Sequence, residues 1–193
     1  KSGLRFSTPN FVGYLYPTNL DQPARAGLII SKNVGGSVTR HRIARQVRHT
    51  LREIYPQLPT GGLLVIRALN GAHSAEASQI RDAVQAWLMR EAKNLFEQRL
   101  NHFAPLMGVQ WRRLSLSNAG SRWGSARVDG AIRLNWRLIH LKPEAIDYVV
   151  VHELAHLHEM NHSPAFWKVV ADILPDHLER RKALQKENLA NWA

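Results

Sequence analysis

Apolar positions in the first third of this chain come in short runs, and later they recur at helical spacing. Phe11-Val12-Gly13-Tyr14-Leu15-Tyr16, residues 26–32 and residues 63–67 read as strands. Between the second and third strands, Ile43, Val47, Leu51 and Ile54 fall on one side of a helical wheel. His41, Arg42, Arg45, Arg48, His49 and Arg52 fall on the other. Ile80, Val84, Trp87 and Leu88 form a further stripe suited to covering a sheet. Leu88, Ala92, Leu95, Phe96 and Leu100 then carry a long helix over 87–108. Strands are expected at 110–116 and 131–138, with Val128-Asp129-Gly130 as a turn bearing the Asp-Gly hairpin signal. The apolar run 145–151 predicts a buried helix, Ser163-Pro164 starts the next one, and 178–189 reads as a solvated amphipathic helix.

Within that frame one short motif carries chemistry. His152-Glu153-Leu154-Ala155-His156 puts two imidazoles four residues apart on one helix face, with Glu153 beside them. His162 stands at a junction between two helices, where the chain can turn back as a third ligand. The turn is assigned to Asn161, which tolerates left-handed backbone. Metzincins share the spacing but have glycine midway, where this chain has Glu159. Three neutral imidazoles leave zinc with one open position and lower the pKa of bound water to about 7. The expected role of Glu153 is general acid/base. The bland alternative is a pair of satisfied polar histidines near a helix end. His140 and His158 are read as spare. Trp123, Trp136, Phe166 and Trp167 are read as core. Arg122 is read either as an oxyanion stabiliser or as a structural ion-pair partner. An edge strand, 110–116 or 131–138, is expected to pair with an extended peptide substrate.

Charge changes the picture for the other end. The chain has 193 residues and a net charge of +11. Ten basic against three acidic side chains leave residues 1–76 with +7 of it, concentrated between Arg40 and Arg52. Most charged helix faces are simply solvated, but acidic residues then interleave, and Glu53 is the only acid near this arc. A polyanion, foremost a phosphate backbone, is the expected partner. There is no cysteine, hence neither disulfide nor thiolate zinc site. With no long apolar run, neither a membrane helix nor a secretory signal is expected, and the cytoplasm is the default location.

Two resemblances follow. Ser121-Arg122-Trp123-Gly124-Ser125, then Ile132-Arg133-Leu134-Asn135-Trp136-Arg137-Leu138-Ile139, then the His152–His156 motif, Asn161-His162-Ser163-Pro164 and Phe166-Trp167 resemble the YgjP-like metal-dependent hydrolases. These are zinc metallopeptidases related to the SprT and WLM groups. The resemblance runs from near Ala77 to the C-terminus. It implies one zinc per chain on His152, His156 and His162, with Glu153 as acid/base and a peptide or protein substrate. Ala126 stands where the family often has cysteine. The β-rich portion that usually precedes this domain is replaced by other sequence.

Residues 27–42, from Gly27-Leu28-Ile29-Ile30-Ser31-Lys32 through Asn33-Val34-Gly35-Gly36-Ser37 to Arg40-His41-Arg42, resemble the bacterial ribonuclease P protein. That likeness covers roughly residues 3–76. Arg40, Arg42, Arg45 and Arg48 match its arginine-rich signature, whereas His41 replaces asparagine and Ala44 replaces lysine. It implies contact with ribonuclease P RNA through the basic helix and glycine loop, with Lys32, Arg40, Arg42, Arg45, Arg48 and Arg52 as the RNA set. It also implies a sheet face holding the leader of precursor tRNA. The first and last helices of that family lack counterparts here, and no Gly/Ser- or Pro-rich linker separates the halves. The expected architecture is α+β. A truncated α/β sandwich of the ribonuclease P protein type (residues 1–76) precedes a zincin-like core (residues 77–193) with its HExxH helix and a small antiparallel sheet, as in a fusion or chimera.

Overall fold

The computed structural model of the chain describes residues 4–16, 18, 22–54, 58, 61–74 and 77–187. The side chains of Glu53, Ile54 and Ile80, each assigned a place above, lie outside the described part. The chain divides into two compact units, residues 1–88 and 89–193.

The first unit is built on a four-stranded sheet of order β1-β2-β4-β3, from β1 (Leu4–Ser7), β2 (Phe11–Tyr16), β3 (Arg25–Ile29) and β4 (Leu63–Ala68). β1 with β2 and β2 with β4 are antiparallel, while β3 lies parallel to β4. A parallel pair needs a crossover, and α1 (Ser37–Ile54) supplies it. Its stripe is buried as expected at Ile43, Val47 and Leu51, and the sheet residues Leu64 and Ile66 are buried as well. β1 was not expected, because four residues show too little alternation to stand out. Its Phe6 ring lies over Gly13 of β2, where an added Cβ would come within 2.0 Å of the ring, so only glycine fits beneath it. Phe6 also meets Trp87, their ring centres 6.3 Å apart. The expected strand over 26–32 ends at Ile29, and Lys32–Val34 turns into a short 3-10 helix leading to Gly35 at φ +146°.

The helix expected over 87–108 starts earlier and ends sooner, as α2 (Ala77–Leu106), and the boundary between units falls within it. Gly108, at φ +67°, ends it. In the second unit β5 (Arg113–Ser117), β6 (Gly124–Ala126) and β7 (Ala131–Asn135) form a sheet of order β5-β7-β6. The hairpin turn lies between β6 and β7, with Gly130 at φ +82° and Asp129 accepting a hydrogen bond from the Ala131 amide. The chain runs up, down and up, so β5 meets β7 in parallel and one of the two pairings is not antiparallel. Two expectations are corrected here. The strand over 131–138 stops at Asn135, whose side chain accepts from the Arg137 amide and caps a 3-10 turn over Trp136–His140. It is also the central strand, so its edges are filled and it cannot take an added peptide; β6 is an edge and packs on the motif helix.

That helix is α3 (Pro143–Ala155), followed by α4 (Pro164–Ile173) and α5 (His177–Gln185), both packed on it. Ile146, Val149, Val150, Val151 and Leu154 are buried with Phe96 and Leu100 of α2 in the second core. Arg99 donates to both Asp147 carboxylate oxygens, at 2.6 and 2.9 Å, a part-buried fork that fixes α3 against α2.

Candidate metal centre

α3 ends at Ala155, but His156 keeps helical backbone (φ −64°, ψ −18°), so the four-residue spacing of His152 and His156 survives. Beyond it the chain turns through amide bonds of His158 and Glu159 to the Ala155 carbonyl. No described residue other than glycine has positive φ, so Asn161 does not make the turn by a left-handed conformation as expected. His158, read as spare, anchors that turn through Nε2 to the Met107 carbonyl at 2.6 Å. Ser163 caps α4, its Oγ accepting from the Phe166 amide, and this sets His162 immediately before the helix.

The three imidazoles converge. His152 Nε2 and His162 Nε2 are 3.1 Å apart, and one ligand atom from each of the three lies within 4.8 Å of the others. His156 Nδ1 faces the Glu159 carbonyl at 3.2 Å, which places its proton there and leaves Nε2 as an acceptor. Burial, then the neighbouring His156 and His162, holds the His152 pKa down at about 3, and burial lowers that of His156 as well. Three neutral imidazoles converging on one point present the nitrogen donors that a cation takes up. Tetrahedral bonds of about 2.0–2.1 Å to nitrogen would separate the donors by about 3.4 Å. The set therefore fits a metal ion.

Phe166, fully buried, lies under all three rings at 4.6–4.9 Å. Trp167 stacks between His162 and His177, with the Arg181 guanidinium 4.9 Å from its ring centre. Trp136 and Phe166 are core, as expected, whereas Trp123 and Trp167 are only half-buried; Phe166 and Trp167 also support the histidine cluster, a role not expected from the sequence. Their positions three and four residues after Ser163, on the turn that follows His162, were the available signal.

Glu153 is buried, and its Oε2 has no hydrogen-bond partner among the described residues. Burial pushes its pKa up to about 8, with Arg122 pulling the other way. Gly124 lies against the carboxylate so closely that an added Cβ would be 2.4 Å from Oε1. The glycine of the Arg-Trp-Gly-Ser run is thus the space in which Glu153 sits. The loop before it is held by Asn135, fully buried, whose Nδ2 donates to the Ala119 carbonyl at 2.7 Å and whose amide donates to the Trp123 carbonyl. Trp136 Nε1 donates to Asn118 Oδ1. Two distant motifs thereby meet around one loop. Arg122 itself is exposed.

In the first unit Lys32, Arg42, Arg45, Arg48 and Arg52 are exposed along α1 and the turn before it. Arg42 donates to the His73 carbonyl at 3.0 Å. Arg40 is half-buried, with its Nε shielded from solvent, and lines a cavity of about 270 Å³ with His41, Ala44 and Arg48. Among the described residues no helix is long and apolar enough to cross a membrane.

Residues 65–187 match the model of the YgjP-like metallopeptidase domain, and residues 1–93 match that of ribonuclease P. The ribonuclease P protein component of Mycobacterium sp. (strain KMS) is 41% identical over 91 residues, spanning 46% of this chain and 75% of that protein. The chain belongs to both families. The two matches overlap over 65–93, so most of β4 and the first half of α2 lie in both. The ribonuclease P protein component of Streptomyces griseus is 46% identical over 68 residues, 35% of this chain and 55% of its own length. Among solved structures, the metallopeptidase zymogen abylysin of Pyrococcus abyssi is 25% identical, covering 47% of this chain and 92% of that one, with a TM-score of 0.44.

Proposed function

We propose that this protein is a zinc-dependent hydrolase of peptides, with His152, His156 and His162 as ligands and Glu153 as general base. One observation carries the reading: three neutral imidazoles converge beside a buried carboxylate whose Oε2 has no partner among the described residues. All-histidine ligation suits zinc, which when bound supplies Lewis acidity and brings the pKa of water down to about 7. Glu153 takes the proton of the attacking water at Oε2 and passes it to the leaving amine. With a cation held by the three histidines, Glu153 would ionise more readily and serve as a base at neutral pH. Gly124 leaves room for the carboxylate, and the β6 edge offers backbone groups to an extended peptide. The experiment is metal analysis of the purified protein and of Glu153→Gln and His156→Ala, with casein as substrate. About one zinc per chain is expected in the wild type and in Glu153→Gln, with hydrolysis lost in the latter by roughly 10²-fold or more. His156→Ala should lose both. Full activity in Glu153→Gln would end the mechanism.

A second reading concerns the first unit, where an exposed cationic face on α1 coincides with the ribonuclease P match. We infer that it binds structured RNA, including ribonuclease P RNA and precursor tRNA, mainly through phosphates. Titration with ribonuclease P RNA and an unrelated duplex, at low and physiological salt, tests it. Affinity should fall steeply with salt for both, and salt-insensitive or absent binding would refute it.

A further inference from the structure

In the second unit, the Arg-Trp-Gly-Ser loop and the small sheet line a cavity of about 310 Å³. Its lining includes Ser117, Ser121, Arg122, Gly124, Ser125 and Arg133. At about 30 Å³ per water in the liquid, this is room for a group much larger than a single solvent molecule. Arg133 stands in the middle of the sheet, with Ser115 of β5 and Ser125 of β6 as its register partners. Its Nε donates to Ser115 Oγ at 3.5 Å, which leaves the terminal nitrogens uncommitted by that contact. Ser117 Oγ accepts from the Ala119 amide at 3.0 Å, so its hydroxyl proton is available to donate outward. Among the described residues neither Arg122 nor Arg133 has a carboxylate within ion-pair distance. The lining side chains are therefore two guanidinium groups and hydroxyls, with no carboxylate among them.

We infer that this cavity is an oxyanion-binding pocket, built for a carboxylate or phosphate group carried by the substrate. The chemistry points one way. Guanidinium donates and never accepts, and two guanidinium groups lining one cavity with no carboxylate in its wall offer an anion charge-assisted donors from two residues. The loop is also held in place before any ligand arrives, since fully buried Asn135 binds its Ala119 carbonyl. Preorganisation of that kind lowers the cost of binding. Gly124 is shared: it lines this cavity on one side and meets the Glu153 carboxylate on the other. An anion held here is thus separated from Glu153 by little more than the β6 backbone. That the anion belongs to a substrate rests on the hydrolase reading; that the pocket binds an oxyanion does not.

The test is residue-resolved, because α1 is itself an arginine-rich face. The full-length protein labelled with ¹⁵N is titrated with inorganic phosphate and, separately, with N-acetylglutamate, following the side-chain Nε–H signals of Arg122 and Arg133. Saturable shifts of both signals are expected with at least one anion, and the one that produces them names the preferred group. Arg133→Gln should weaken the Arg122 response at least tenfold. Arg133→Lys serves as a second variant, which keeps the charge while losing the fork and should show an intermediate loss. Failure of both anions to shift either signal, or a Arg122 response unchanged in both variants, would overturn the pocket. Saturable shifts that weaken in the variants uphold it even if zinc-loaded wild type cleaves no peptide, a result that would defeat the hydrolase reading alone.

Discussion

At the scale of single residues, the proposed chemistry depends on a glycine as much as on the histidines. Any side chain at 124 must displace the Glu153 carboxylate, which is itself confined by burial. Gly124→Ala should therefore keep the metal and lose activity on the order of tenfold or more through misplacement of the base; metal content and casein turnover measured together check this. His140 gives a pH signature away from the histidine cluster. Buried beside Trp136, with burial first and then Arg137 depressing it, its pKa stands at about 3 against an ordinary 6.5. A depressed histidine is neutral in the folded protein, so its contribution is complete above about pH 6.5 and is lost as pH falls towards about 3. The slope is at most about 1.4 kcal/mol per pH unit. Urea denaturation of the metal-free protein between pH 7 and 5 should show a shallower loss in His140→Leu than in the wild type. The other buried histidines contribute equally to both, so the difference isolates this one.

Elements carry the next layer. The α3 histidine pair was legible because a four-residue spacing on an apolar helix leaves little choice of face. The turn back to His162 was legible in place but not in manner: the chain completes it at negative φ, tied by His158 to the Met107 carbonyl, and no local signal encodes that distant partner. β6 escaped notice because three residues have no readable period. Its role, and the loss of the expected strand's last three positions to a 3-10 turn, depend on Asn135, which caps locally and binds a loop 16 residues away. α1 was the easiest element, since Ile43, Val47 and Leu51 are buried and the arginines opposite them exposed. Replacing Arg42 and Arg45 together by glutamine should weaken RNA binding alike across sequences and flatten the salt dependence by roughly two phosphate contacts. Filter-binding titrations at several salt concentrations would read this.

For the molecule as a whole, binding a metal at the α3–α4 junction should be read in stability as well as activity. Ligation of the folded state alone adds about 2.7 kcal/mol at a hundredfold excess over the dissociation constant. A chelator should therefore lower the thermal midpoint in the wild type and in Glu153→Gln but leave His156→Ala unchanged, which calorimetry can follow. Two families meet in one chain, and their matches overlap through most of β4 and the start of α2. The sequence by itself determined the α+β class, the helix that presents His152 and His156, the third histidine and the cationic face of α1. Each of these is a local periodicity or a short spacing, which a chain states within a few residues of itself. Only the tertiary structure decided that Phe166 and Trp167 underlie the histidines, that Gly124 makes space for Glu153, that β7 is central and β6 an edge, and that Arg122 and Arg133 share a cavity. Those relations join residues far apart in sequence through packing and register, and neither has a signature that a reading along the chain can detect.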